Sequence, residues 1–171
     1  MSKGFAVLSH GLESGPTATK VTALAAVCDE LGWDCVRPDY LDLDASKDAI
    51  RIGDRIARML EHARGHERVV LAGSSMGAFI SALGSLERDV AGVFLIAPPL
   101  RIDGFEQHLD VDEVPMSIVH GWDDELIPYS DVVEFAHTHR APLLLLDDDH
   151  RLSHQVPAVA EAFRQFLLSL G

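Results

Sequence analysis

The sequence predicts an α/β protein built on a mainly parallel sheet of about six strands, with helices on both faces. Three observations carry that prediction. Short apolar runs alternate with longer segments of helical period along the 171-residue chain. The runs lack the polar alternation of a half-exposed strand, as expected of a sheet covered on both sides. Gly and Pro stand at the boundaries between them.

Phe5 to Ser9 is the first run. Pro16 suits the first turn of a helix over Thr17 to Leu31, where its missing N–H costs nothing. Val21, Leu24, Ala25, Cys28 and Leu31 share one face of that helix, and Gly32 stops it. Asp34 to Asp39 is a second run, broken by Pro38. A helix from Ser46 to Arg64 carries Ile50, Ile56, Ala57, Leu60 and Ala63 on a stripe and ends at Gly65. Arg68 to Ala72 is the third strand and Met76 to Leu86 the third helix. Val90 to Ala97 is a fourth strand, stopped by Pro98-Pro99, and Met116 to His120 a fifth. A helix over Tyr129 to His139 leads to the sixth strand, Leu143 to Leu146, and the last helix spans about Gln155 to Leu170. The length suits a single domain over 1–171. In parallel sheets ligands sit beyond the carboxyl ends of the strands, so function is sought in the loops that follow each run.

Composition narrows the function. The chain has 27 acidic residues against 14 Lys and Arg, a formal charge of −13. That balance disfavours nucleic acid, whose binding rests on cations neutralising phosphates, and an anionic membrane surface. Cys28 and Cys35 are too few for a disulfide framework and lack zinc-site spacing, so they are expected as reduced, packed thiols. The stretch Phe5 to Leu8 is shorter than the roughly 7–15 apolar residues of a secretory signal. The expectation is a soluble, cytoplasmic protein.

The third strand runs into Gly73-Ser74-Ser75-Met76-Gly77 and then a helix. This is G-x-S-x-G in the strand–turn–helix setting that gives the motif meaning. Chance would produce the bare pattern about 0.07 times with 13 glycines in the chain. A sharp turn lifts the serine above the sheet, and the flanking glycines let neighbouring backbone pass close by. The following helix start offers free N–H groups to an oxyanion. No G-x-x-x-x-G-K-[ST] is present and the loop has no basic residue, which argues against a phosphate cradle. Ser75 is the candidate nucleophile, and Ser74 a packing residue.

A serine nucleophile needs a base, and the base a carboxylate to orient it. The fifth strand leads into Gly121-Trp122-Asp123-Asp124-Glu125 and the sixth into Asp147-Asp148-Asp149-His150. Acid and base thus follow later strands in the order Ser, Asp, His. Spacing alone leaves Asp123, Asp124 and Glu125 open as the acid. His150 directly follows its strand, while His154 is expected to begin the last helix.

From Ser9-His10-Gly11 to the final helix, the chain resembles a small serine hydrolase of the α/β-hydrolase superfamily. His120 to Pro128 is similar to a recurring His-Gly-x-x-Asp-x-x-Ile-Pro form, which implies Asp124 as the acid. Asp149-His150-Arg151-Leu152 resembles the catalytic histidine loop and implies His150. The opening Leu8 to Pro16, with Lys20 following, is similar to small bacterial esterases with a His-Gly-x-x-Ser start. The resemblance implies oxyanion-hole N–H groups from Leu12 and Met76. It further implies an acyl-enzyme hydrolase of small-molecule esters or thioesters that needs no cofactor and no metal. Two departures stand out. There is no room before Phe5 for the superfamily's first two strands, and the usual cap insertion shrinks to about Pro98–Pro115, leaving no separate cap domain.

Other readings compete. Asp147, Asp148, Asp149, His150 and His154 could form a metal site. The fold could serve as a non-catalytic binding protein, or the same three residues could hydrolyse small amides. Charge placement adds a substrate expectation. The loops on the catalytic edge hold Asp39, Asp42, Asp44, Asp103, Glu106, Asp110, Asp112, Glu113, Asp123 to Glu125 and Asp147 to Asp149. Arg51, Arg55, Arg58, Arg64 and Arg68 are expected on helices or at the opposite edge. Such a rim repels anions and favours neutral substrates.

Overall fold

Six strands, β1 (Phe5–Ser9), β2 (Asp34–Val36), β3 (Val69–Ser74), β4 (Gly92–Ile96), β5 (Met116–Gly121) and β6 (Leu143–Leu146), form one sheet. All neighbours pair in parallel, in the order β2-β1-β3-β4-β5-β6. The computed structural model describes residues 1–46 and 50–171. Helices α1 (Thr19–Leu31), α2 (Leu41–Asp44), α3 (Ile52–Ala63), α4 (Met76–Gly84), α5 (Tyr129–His139) and α6 (Val156–Ser169) connect and cover the strands.

Side chains alternate along each strand and feed two cores, which is why the runs read as apolar throughout. Val7, Leu71, Leu95 and Ile118 point to the face covered by α3, α4 and α5. Leu8, Val70, Phe94 and Val119 point to the other, against Leu24 and Val27 of α1 and Phe163 and Phe166 of α6. The helix faces follow from chain direction. From β1 the chain steps out to β2 and then returns past β1 to β3, so right-handed crossovers put α1 on one side and α3 on the other. The loops after β1 and β3 therefore face each other where the winding reverses. That reversal is the place for a ligand in an open parallel sheet.

Several boundaries differ from the sequence expectation. Pro16 lies in the turn Gly15–Ala18, closed by the Ala18 N–H on the Gly15 carbonyl, and α1 starts only at Thr19. Strand β2 ends at Val36, before Pro38, whose ring leaves no N–H for a ladder. The helix expected from Ser46 begins at Ile52, because Arg51 caps it in the left-handed region (φ 58°); residues 47–49 of that span lie outside the described residues. Strand β3 extends to Ser74, so it carries the backbone directly into the Ser75 turn.

The segment expected as a vestigial cap follows the core instead. Leu109 and Val111 are buried in the α3–α4–α5 core, with Leu100, Ile102 and Phe105 packed against it. Phe105 meets Phe79 of α4 edge-on at 6.0 Å. The β4–β5 connection thus covers the face that a crossover helix would cover. Among the described residues no helix is long and apolar enough to cross a membrane.

Candidate active site

Ser75 sits between β3 and α4 with φ 55° and ψ −115°, a conformation that side chains rarely adopt. Its neighbours hold it there. The Ser75 N–H donates to the Ile96 carbonyl at the end of β4 (2.9 Å), and its own carbonyl accepts the Phe79 N–H (3.1 Å) in the first turn of α4. Both flanking glycines are required by close approach. A Cβ on Gly73 would stand 2.3 Å from the Gly77 carbonyl, and one on Gly77 would stand 2.0 Å from the Ser9 carbonyl. The turn leaves Ser75 partly exposed while Ser74 and Met76 are buried.

Strand β5 leads to the candidate acid. In the turn after Gly121, Asp124 is buried and its Oδ1 accepts the N–H groups of Leu126 (2.9 Å) and Ile127 (2.8 Å). That leaves Oδ2 for His150, whose Nδ1 lies 2.7 Å away. Burial pushes the Asp124 pKa up. The hydrogen bonds from His150 and from the Ile127 and Leu126 amides outweigh it, so the carboxyl titrates below its ordinary range.

His150 follows β6 in a loop pinned from two sides. Its N–H donates to Glu125 Oε2 (3.3 Å), and Lys20 Nζ at the start of α1 donates to the next carbonyl, that of Arg151 (2.5 Å). The Nε2 atom of His150 lies 3.1 Å from Ser75 Oγ. With Nδ1 facing a carboxylate, the ring proton belongs on Nδ1, and the Nε2 lone pair is free to accept the Ser75 proton. His150 is thereby joined with two residues 26 and 75 positions away, Asp124 and Ser75, in one hydrogen-bonded chain.

Beside this chain lies the loop after β1. Ser9 pairs with Gly73 in register, and a Cβ on Gly11 would lie 3.3 Å from the Ser74 carbonyl and 3.4 Å from Ser75 Cβ. Leu12 follows directly, and among the described residues its N–H finds no acceptor. Met76 is the first residue of α4, where no carbonyl inside the helix can reach its N–H. The two N–H groups expected to bind an oxyanion therefore belong to the residue after Gly11, which packs on the Ser75 turn, and to the residue after Ser75.

The remaining candidates separate cleanly. Asp123 is exposed and Glu125 touches only the His150 backbone. His154 lies in the turn before α6, not on the helix, and faces Asp148 through both its N–H (2.8 Å) and Nδ1 (3.2 Å). No group of three or more His, Cys, Asp or Glu among the described residues is arranged to hold a metal ion. Cys28 and Cys35 are unbridged. Two histidines carry more structure than their positions in the sequence suggested. His10 and His120 are both fully buried, each just before a glycine at the carboxyl end of a strand. The paired His-Gly dipeptides were the available signal.

A parallel sheet of this order with a strained serine turn at its winding reversal marks a hydrolase of the α/β class. Comparison with known proteins agrees. Over 98% of its length the chain is 47% identical to a Xanthomonas campestris pv. campestris protein described as a hydrolase of the alpha/beta superfamily; 99% of that chain is covered, with a TM-score of 0.94. The protein belongs to the α/β-hydrolase superfamily. An alpha-beta serine hydrolase homologue from Coxiella burnetii is 25% identical, with 98% of this chain and 86% of that one covered and a TM-score of 0.76. A second Xanthomonas campestris protein, described as an a/b serine hydrolase without lid, shares the fold at 19% identity and a TM-score of 0.78, covering 99% and 83% of the two chains. No protein-family model and no curated protein matches the chain.

Proposed function

We propose that the protein is a serine hydrolase that cleaves small, uncharged carboxylic esters or thioesters through an acyl-enzyme. The observation that carries the reading is the continuous chain from Ser75 Oγ through both nitrogens of His150 to Asp124, at 3.1 and 2.7 Å, on a strained turn.

His150 Nε2 takes the hydroxyl proton as Ser75 Oγ bonds to the carbonyl carbon, and the carbonyl electron pair moves onto oxygen. The N–H groups of Leu12 and Met76 receive that oxyanion. Collapse breaks the bond to the alcohol or thiol, which leaves with the proton held by His150. Water then repeats the sequence on the acyl group, with His150 as base. Throughout, Asp124 holds the imidazole tautomer and stabilises the imidazolium. The lidless relative supports a site open at the top, reached by short acyl groups without a moving cap.

The test is turnover of p-nitrophenyl acetate and labelling by a fluorophosphonate probe, with Ser75→Ala as control. Ser75→Ala is expected to lower kcat/KM by at least about 10³-fold and to abolish labelling. A folded wild-type protein that does not label, or a variant that turns over at the wild-type rate, refutes the proposal.

A further inference from the structure

The turn that carries Leu12 is held from outside by a buried ion pair that the Ser75–His150–Asp124 chain does not touch. Arg55 of α3 is the largest fully buried side chain among the described residues, at 1% exposure. Its Nη1 lies 2.7 Å from Asp44 Oδ1 as a charge contact outside hydrogen-bond geometry, and both side chains retain only 2% of their surface. Its Nε donates to the Ile50 carbonyl (2.7 Å), which sets the direction of the guanidinium. The other oxygen of the carboxylate, Asp44 Oδ2, accepts the backbone N–H of Glu13 (2.8 Å).

Glu13 is the residue that needs holding. It occupies the third position of the turn Gly11–Ser14, with φ 61°, a region that turns usually give to glycine. The peptide on the other side of Leu12 is also fixed. His10 Nε2 accepts the Tyr40 N–H (2.9 Å), so its proton sits on Nδ1 and is donated to the Gly11 carbonyl (2.6 Å). Ser14 Oγ donates to the same carbonyl (2.9 Å). The Gly11 carbonyl and the Leu12 N–H share one peptide plane, so fixing the oxygen aims the N–H. Asp44 fixes the next plane, and the backbone of Leu12 has no freedom left.

Two buried charges could be replaced by apolar residues of similar volume at little loss of stability. Retaining them is explained by what they hold. We propose that Asp44, oriented by Arg55, is a positioning residue for the oxyanion hole: it locks Glu13 in its strained conformation so that the Leu12 N–H faces the substrate oxygen. This inference rests on the serine hydrolase reading above.

Two double variants isolate the effect. Asp44→Leu/Arg55→Met removes both charges and the acceptor for Glu13, whereas Asp44→Asn/Arg55→Met removes both charges and keeps an amide oxygen for it. The first is expected to lose about 10- to 100-fold in kcat/KM for p-nitrophenyl acetate with KM little changed. Its affinity for phenylboronic acid, whose tetrahedral adduct puts an oxygen in the hole, falls by a similar factor. The second keeps the acceptor but loses the guanidinium that orients it, so it is expected to lie between the first variant and wild type in both measurements. Equal rates in the two folded variants, or a loss of rate with undiminished boronate affinity, overturn the proposal. Hydrogen exchange in the wild-type protein needs no variant. The Glu13 amide is expected to exchange at least about tenfold more slowly than the Leu12 amide beside it, and equal exchange overturns the clamp. Loss of ester turnover in the wild type, or its persistence in Ser75→Ala, would instead refute the hydrolase reading.

Discussion

His120 Nε2 stands 3.4 Å from Asp124 Oδ2, the oxygen that also receives His150 Nδ1 at 2.7 Å. The same Nε2 lies 2.8 Å from the Ile127 carbonyl, which can only accept, so the His120 proton sits there. Its Nδ1 is buried without a partner among the described residues. A second proton would therefore bury both a charge and an unpaired N–H. Burial pushes the His120 pKa down, reinforced by the facing His150 and opposed by the Ile127 hydrogen bond and the Asp124 charge. Because the folded pKa lies below the ordinary value of about 6.5, the unfolded chain binds the extra proton first as pH falls. This contribution to stability is present above about pH 6.5 and is lost below it. Melting temperature is expected to fall between pH 7.5 and 5.5, and to fall less in His120→Gln, which keeps a donor for Ile127. Parallel slopes in the two proteins would refute the assignment.

The acid position gives a sharper test, because three carboxylates stand in a row and one of them meets the imidazole. Asp124→Asn removes the charge that fixes the His150 tautomer and is expected to lower kcat by about 10³- to 10⁴-fold. Asp123→Asn touches nothing in the site and should stay within about twofold of wild type. Measured on p-nitrophenyl acetate, a comparable loss in both variants would remove Asp124 from its role.

Two glycines predict opposite responses to the same added methyl group. Gly77→Ala would drive Cβ into the Ser9 backbone at 2.0 Å, where no side chain can give way. A destabilisation of about 3 kcal/mol or more is expected. Gly53, exposed near the start of α3, has nothing within 4 Å of its Cβ position. Gly53→Ala is expected to stabilise by up to about 1 kcal/mol through helix propensity. Urea midpoints of the two variants check both, and a stable Gly77→Ala would contradict the packing of the serine turn.

What could be read in advance follows from how local its cause is. The sheet was legible because strands buried on both faces must be apolar throughout, and Ser75 because its turn demands small residues at two fixed offsets. His150 was reachable because it follows a strand end, whereas position left Asp123, Asp124 and Glu125 open and only the resemblance to the His-Gly-x-x-Asp-x-x-Ile-Pro form implied Asp124. By contrast, the start of α3 depends on a left-handed Arg51 that no periodicity announces. Asp44 was expected in the acidic rim and Arg55 apart from it, since nothing local marks a carboxylate whose partners are the buried guanidinium and the Glu13 amide 31 residues away. The roles of His10 and His120 likewise rest on backbone partners supplied by other loops.

The charge expectation is the one the structure revises most, and it yields the last prediction. The arginines expected apart from the acidic rim reach into it. Arg58 binds Asp42 with both terminal nitrogens, at 2.5 and 2.9 Å, and holds that carboxyl down at about 2. Arg55 neutralises Asp44. Asp123 and Glu125 before α5 and Asp147 before His150 remain exposed on the β5–β6 side of the site. On the α1 side, Lys20 and Arg151 stand near the same loop. Part of the acidic rim is therefore paired with arginines, and Lys20 and Arg151 set positive charge beside the rest. At low ionic strength, kcat/KM for a neutral ester is expected to exceed that of its carboxylate-bearing counterpart by about three- to tenfold. Exposed charges are screened within about 8 Å at physiological salt, so the gap should close in about 0.5 M sodium chloride. A preference for the anionic ester would mean that Lys20 and Arg151 dominate the entrance, and the proposal of uncharged substrates would fall.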